Sequence, residues 1–301
     1  MIALAAALLA GCSVPPPELG VAPDVQVHQE DALRLIAIGD TGEDNASRRL
    51  VAEAAAKVCA ERGCDLLLLL GDNLYPLGLS ADDDPRFDAV MVGYEAVGVP
   101  VYGVMGNHDY GKGRDLEAAA HQLAWASAHP LLTMPTPAYR FRAGPAELFA
   151  LDTTRAFWGD PTPQADWLRE GLEASSARWR VVLGHHPYRS NGTHGNAGAY
   201  EGLAWAPYAS GEGLERLFEG ALCGRADLYL SGHDHNRQWL EACGVQLIVS
   251  GAGSKTTPIT DRGNQTRFAE ASEGLVWVEL GAQMTVAFYD QRGALELEGV
   301  R

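Results

Sequence analysis

The sequence predicts an α/β (α+β) domain built as a sandwich of mixed β-sheets with helices outside, and three observations lead there. Short apolar runs alternate with helix-forming stretches through the first half, the pattern of βαβ units of ~30 residues each. One run, Leu66-Leu67-Leu68-Leu69-Leu70, is apolar without a break, which marks a parallel strand buried on both faces. From residue 237 onward the pattern changes to short strands joined by Gly-rich turns, the mark of antiparallel pairing.

Taken in order, Arg34–Ile38 reads as a strand ending in Gly39-Asp40-Thr41-Gly42, and residues 44–61, rich in Ala, Glu, Lys and Arg, read as a helix. The 65–70 strand ends in Gly71-Asp72-Asn73-Leu74-Tyr75. Asp82-Asp83-Asp84-Pro85 reads as a solvated turn and cap for a helix reaching about Ala96. Val99–Met105 is a third strand, ending in Gly106-Asn107-His108-Asp109. A helix is predicted over 114–127, strands over Tyr139–Arg142 and Glu147–Leu151, and a helix over Gln164–Ala174. The strand Arg178–Leu183 ends in Gly184-His185-His186-Pro187. After a Gly/Asn-rich loop and a helix at 212–220, the strand Asp227–Leu230 leads into Gly232-His233-Asp234-His235-Asn236. Short strands are predicted at 238–242, 245–249, 275–280, 284–289 and 294–298.

With 301 residues and 47 % hydrophobic composition, the chain can fill one large core. Its net charge of −16 argues against nucleic acid or an anionic membrane surface as partner. An anionic substrate would have to be attracted by local positive charge, such as metal ions. Residues 1–11 read as a signal peptide, too short to span a bilayer, which takes about 20 apolar residues. Leu9-Ala10-Gly11-Cys12 resembles the bacterial lipobox, with Cys12 as the lipidated first residue of the mature protein. Pro-rich residues 12–31 read as a lipidated tether and 32–301 as the folded domain. The protein is therefore expected to be exported, held in the bacterial envelope only through the lipid on Cys12, and monomeric. Four further cysteines in an exported chain suggest disulfides. Of the three pairings they allow, Cys59–Cys64 and Cys223–Cys243 are favoured because each pair flanks one predicted unit.

Five predicted strands are followed by a glycine and then at once by a metal-ligand type: Asp40, Asp72, Asn107, His185 and His233. One such end alone is most simply a turn. Five together make independent turns a poor account. Around them the plainer readings hold: Asn73 ties down its own turn, His186 belongs to the pocket wall or rim, and Asp234 supports the histidines beside it. His28, His121 and His129 are read as solvated.

In this order the blocks resemble the calcineurin-like metallophosphoesterases. Tyr75, in Asp72-Asn73-Leu74-Tyr75, narrows the resemblance to the purple acid phosphatases of the small, tartrate-resistant type. Gly184-His185-His186-Pro187, His194-Gly195 and His233-Asp234-His235-Asn236 support it, from about residue 33 to the C-terminus. Two positions depart from the animal enzymes: Thr41 stands for a Trp and His186 for a Tyr, which bears on pocket shape. The resemblance implies a four-layer α-β-β-α sandwich of two mixed β-sheets flanked by helices, with a dimetal site at the C-terminal ends of the strands.

Carried over, it implies one site of Asp40, Asp72, Tyr75 and His235, and a second of Asp72, Asn107, His185 and His233. The first set, with two carboxylates and a phenolate, suits Fe(III). A phenol with a pKa near 10 gives up its proton at neutral pH only to a strongly acidic ion. The second, with a neutral amide and two imidazoles, suits a divalent ion: Fe, Zn or Mn. The implied reaction is hydrolysis of a phosphorylated small-molecule monoester by a metal-bound hydroxide. His108 is the expected general acid, Asp109 its orienting partner, and His194 a phosphate contact or proton-transfer aid. A phosphodiesterase or nucleotide phosphohydrolase is the alternative. A non-enzymatic surface-binding lipoprotein is a third reading, against which the complete ligand set argues.

Overall fold

Residues 14–301 are described by the computed structural model; the predicted signal peptide and Cys12 lie outside the described residues. A short strand β1 (Leu19–Val21) precedes β2 (Leu33–Ile38), α1 (Ala46–Arg62), β3 (Leu66–Leu70), α2 (Pro85–Met91), β4 (Val101–Val104), α3 (Leu116–Ala128) and β5 (Leu132–Thr133). A hairpin of β6 (Ala138–Ala143) and β7 (Ala146–Ala150) follows, then α4 (Thr153–Trp158), α5 (Thr162–Ala174), β8 (Trp179–Leu183), α6 (Glu212–Leu217) and β9 (Leu228–Ser231). The tail is β10 (Arg237–Ala242), β11 (Val245–Ser250), β12 (Thr266–Glu270), β13 (Gly274–Leu280), β14 (Met284–Asp290) and β15 (Leu295–Val300).

Two mixed sheets result. One has seven strands in the order β15-β14-β13-β2-β3-β4-β5, the other eight in the order β1-β6-β7-β8-β9-β11-β10-β12. The all-leucine β3 needs no alternation because both its faces are covered. Leu66, Leu68 and Leu70 enter the apolar layer between the sheets, while Leu67 and Leu69 pack with Val51 and Val58 of α1 and Phe87 of α2. The second sheet does the same: Val181 and Leu183 point between the sheets, and Val182 packs with Leu168 of α5 and Leu217 of α6. Three apolar layers separate four layers of structure, the expected α-β-β-α sandwich.

Local signals account for most boundaries. Asn45, Asp84, Asp115 and Asp152 cap α1 to α4 by accepting backbone N–H groups, as short polar side chains do at helix starts. The helix expected to run to Ala96 stops at Met91, because Gly93 (φ 101°) turns left-handed before a separate 3₁₀ turn at Tyr94–Val97. Helix α4 is one and a half turns long and lacks a readable period. The exposed β12 has no apolar face to betray it. Cys59 pairs with Cys64 and Cys223 with Cys243, at Cα separations of 5.2 and 5.3 Å. Among the described residues no helix is long and apolar enough to cross a membrane.

The tether reading needs correcting over its described part. Strand β1 pairs in parallel with β6, Ala22 N donates to Arg140 O (3.0 Å), and Val25 N donates to Arg142 O (2.8 Å). Ala22 and Val25 are buried, and Tyr102 Oη donates to Pro23 O at 2.6 Å. The edge of β6 offers unpaired backbone groups, and this segment satisfies them despite having no periodic pattern.

Strands β2, β3 and β4 run parallel in one sheet and β8 and β9 in the other, so their carboxyl ends collect along one side. The two sheets are stitched together there. Gly39 N donates to Ser250 O (2.6 Å), Ser250 Oγ to Ala37 O (2.9 Å), and Gly253 N to Gly39 O (3.1 Å).

Truncation to residue 31 strips the buried side chains of Val14, Pro17, Ala22 and Val25 and the hydrogen bonds of the β6 edge. The expected loss is about 2–4 kcal/mol of unfolding free energy by urea titration. An unchanged midpoint would show that the segment lies on the domain without holding it.

Candidate metal centre

Asp40, Asp72 and His233 each follow a glycine and take a left-handed backbone, with φ of 58°, 53° and 68°. Side-chain-bearing residues avoid this region unless their surroundings hold them there. The turns hold one another. Asp40 N donates to Gly71 O (2.9 Å), His233 N to Asp40 Oδ2 (2.8 Å), and His108 N to Asp72 Oδ1 (2.8 Å). The glycines serve as clearance as well as turns. A Cβ on Gly71 would lie 2.7 Å from His185 Nδ1, and one on Gly232 would lie 2.5 Å from Asp40 Oδ2. A Cβ on Gly106 would collide with the Asp72 carboxylate. Each leaves room for a side chain from a different strand end.

The first expected set converges. Tyr75 Oη lies 3.0 Å from Asp40 Oδ1, 3.0 Å from Asp72 Oδ2 and 3.2 Å from His235 Nε2, and His235 Nε2 lies 3.3 Å from Asp40 Oδ1. Asp40, Asp72 and His235 offer one ligand atom each within 4.8 Å of one another. Neighbouring donors around an ion bonded at ~2.1 Å sit ~3 Å apart, so the spacing fits a cation. The charges fit too. Burial, then Asp40 and Asp72, push the Tyr75 phenol well above its usual range. Only a cation among these oxygens lets all three groups be anionic together.

The second set centres on the buried His185. Its Nδ1 faces Leu70 O (2.9 Å), an acceptor only, so Nδ1 carries the hydrogen and Nε2 is free to ligate. That Nε2 lies 3.1 Å from Asn107 Oδ1, 3.1 Å from His233 Nδ1 and 3.4 Å from Asp72 Oδ1. Burial works against charging His185, yet Asp72 and Asp40 outweigh it and hold its pKa above the ordinary value. The field that does this would also attract a metal ion. His233 is pushed the other way, by burial and then by His194, His186 and His185, and stays neutral as a ligand must.

The remaining predicted residues are placed as follows. His108 sets its Nδ1 against Pro76 O (2.7 Å), packs edge-on to Tyr75 and brings Nε2 to 4.0 Å from Asp72 Oδ2. Asp109 does not orient it. That carboxylate is fully buried and accepts from Asn73 N (2.9 Å), Leu74 N (3.1 Å), Gly106 N (2.8 Å) and Asn73 Nδ2 (3.0 Å), tying the Asp72 turn to the Asn107 turn. Asn73 therefore joins two turns instead of closing only its own.

Asp234 braces the His194 loop instead of the histidines beside it: it accepts from His194 N (2.8 Å), Gly195 N (3.2 Å) and Ser190 Oγ (2.5 Å). His194 stacks on His233 with ring centroids 4.0 Å apart. His186 is a buried wall residue, its ring 4.4 Å from that of His233. The three histidines read as solvated all have partners: the exposed His28 pairs with Asp65 (2.6 Å), His121 pairs with Asp82, and His129 stacks on Trp125.

Two residues at the site escaped the sequence reading. Glu201 (φ 57°) hydrogen-bonds His194 Nδ1 through its carboxylate and donates its N–H to His194 O at 2.9 Å. Lys255 places Nζ 3.3 Å from the centroid of the Tyr75 ring. The first sits in a loop with no period. The second follows Gly251-Ala252-Gly253-Ser254, a sixth Gly-rich strand end that lacks a ligand type.

The comparisons with known proteins bear on the family. The calcineurin-like phosphoesterase family model matches residues 33–251. Purple acid phosphatase 4 of Arabidopsis thaliana is 29 % identical over 299 residues, an alignment covering 88 % of this chain and 82 % of that protein. Tartrate-resistant acid phosphatase type 5 of Rattus norvegicus is 27 % identical over 304 residues, covering 87 % and 88 %. Among solved structures, GAP50, described as the anchor in the inner membrane complex of Plasmodium, superimposes with a TM-score of 0.68 at 19 % identity, over 89 % of this chain and 88 % of that one; this likeness speaks for the fold alone. On the family match and the relatives, the chain belongs to the calcineurin-like phosphoesterases, metal-dependent hydrolases of phosphoric esters.

Proposed function

We propose that the chain hydrolyses phosphate monoesters in the manner of a purple acid phosphatase, using two metal ions. Asp40, Tyr75, His235 and Asp72 would hold Fe(III); Asn107, His185, His233 and Asp72 would hold a divalent Fe, Zn or Mn ion. The observation that supports this most is the division of Asp72, whose Oδ2 faces the Tyr75 phenol at 3.0 Å while Oδ1 faces His185 at 3.4 Å. When bound, such a pair supplies Lewis acidity toward a phosphoryl oxygen and makes water acidic enough to react at neutral pH.

The chain's own residues do the rest. With a net charge of −16, the protein as a whole repels a phosphate ester, so the attraction would have to be local to the site. His108, fixed at Nδ1 by Pro76, turns Nε2 toward the cluster and delivers its proton from there to the leaving alcohol. His194 is held over His233 by Glu201 and Asp234, where it steadies the phosphate. Because the fold is shared with an anchor protein, the site carries this reading and the fold does not. A scaffold gains nothing from three strained ligand positions. Export, a lipid anchor on Cys12, a monomeric state and a phosphorylated small-molecule substrate belong to the same proposal; the two disulfides support export.

Asp72→Ala removes the oxygens common to both sets, so elemental analysis is expected to find both metals lost and hydrolysis of p-nitrophenyl phosphate abolished. Tyr75→Phe is expected to lose the visible phenolate-to-iron band first and to retain some hydrolysis. Retention of both metals in Asp72→Ala would refute the bridge.

His108→Ala is expected to slow hydrolysis of alkyl phosphates by ~10²–10⁴-fold and to affect p-nitrophenyl phosphate far less, since that leaving group needs no acid. Equal losses on both substrates would take the proton-donor role away from His108.

A further inference from the structure

Strand β11 ends in Ser250-Gly251-Ala252-Gly253-Ser254-Lys255, and this loop is tied to the turn that carries Asp40. Gly253 N donates to Gly39 O (3.1 Å), Ser254 Oγ to Asp40 O (2.5 Å), and Asn45 Nδ2 to Ser254 O (2.8 Å). A lysine normally keeps its long side chain mobile, and fixing it costs rotamer freedom. Here the ammonium is held 3.3 Å from the Tyr75 ring centroid, inside the ~6 Å range of cation–π attraction, with Glu43 Oε1 3.4 Å away. Among the described residues it is the one Lys or Arg found over that ring. The phenol oxygen itself faces the carboxylates Asp40 and Asp72.

We propose that Lys255 is a positioning residue that tunes the ferric site through Tyr75: its ammonium over the ring limits how much charge the phenolate gives to the metal. This inference rests on the reading of Tyr75 as a ferric ligand. A positive charge beside a phenolate lowers the energy of its highest filled π orbital, because that orbital holds the negative charge the ammonium attracts. Excitation of an electron from the ring to iron then costs more energy, and the ferric–ferrous potential rises because the ligand donates less. Weaker donation also leaves the ion a stronger Lewis acid toward a phosphoryl oxygen. The lysine thereby offsets the excess of negative donors that Asp40, Asp72 and Tyr75 crowd onto one ion. Geometry favours this role over direct binding of substrate, since the ammonium lies against the ring and Glu43.

Iron-loaded wild type, Lys255→Met and Lys255→Arg proteins are to be compared by visible spectrum, by ferric–ferrous potential and by KM for an aryl phosphate. Lys255→Met is expected to move the charge-transfer band to longer wavelength and lower the potential, with KM near the wild-type value. Lys255→Arg, which keeps a cation that can stack on the ring, is expected to stay close to wild type in band and potential. Lys255→Gln serves as a second uncharged variant, with the same expected shifts, where the methionine protein misfolds. An unmoved band and potential in the uncharged variants would overturn the proposal. So would a wild-type band accompanied by a tenfold rise in KM, which would assign the ammonium to the substrate anion. A colourless iron-loaded wild type would remove the ferric reading of Tyr75 itself and this inference with it.

Discussion

The two oxygens of the Asp72 carboxylate face different donor sets, and much of the surrounding structure serves to keep them apart. The residue sits just past the end of β3, beyond a left-handed turn that L-residues resist. His108 N–H pins one oxygen, leaving the other turned toward Tyr75. Gly106 has no side chain because the carboxylate occupies that space. Leu66 to Leu70 anchor the approach by burying both faces of the strand, so the turn cannot shift without moving two apolar layers.

The electrostatics around that carboxylate are asymmetric. On one side stand Asp40, a phenol and His235; on the other, an amide and two imidazoles. Buried like charges repel strongly where water cannot screen them. Burial first and then the carboxylates push the Tyr75 phenol up, while at His185 burial pulls down and the same carboxylates, Asp72 and Asp40, outweigh it. Lys255 over Tyr75 is the protein's own partial answer on the phenol side.

Several polar residues at the site serve as stays. Asp109 spends its carboxylate on four donors from two turns, and Asp234 on three from the His194 loop. Hydrogen bonds offset the desolvation of a buried carboxylate; at Asp109, burial and then Asp72 still outweigh them and push its pKa up to about 7. The same accounting explains the 14–25 segment. The β6 edge exposes backbone groups, and a piece of chain with no apolar period supplies the partners.

The sequence by itself determined the layers and the candidate ligands. Unbroken or alternating apolar runs specify which strand faces are covered, and a glycine followed by Asp, Asn or His directly after such a run marks the strand's end. Those signals are local, so Asp40, Asp72, Asn107, His185 and His233 were legible without coordinates. The roles of Asp109, Glu201 and Lys255 depend on which turns become neighbours, and residues up to 214 positions apart in the chain, such as Asp40 and Ser254, meet only when two sheets close on each other. The path of residues 14–31 was hidden for the same reason: a strand held by backbone hydrogen bonds leaves no mark in side-chain pattern. Only the tertiary structure could decide that Gly71, Gly106 and Gly232 stand aside for ligands from other turns, because clearance is a property of the neighbour and not of the residue that provides it.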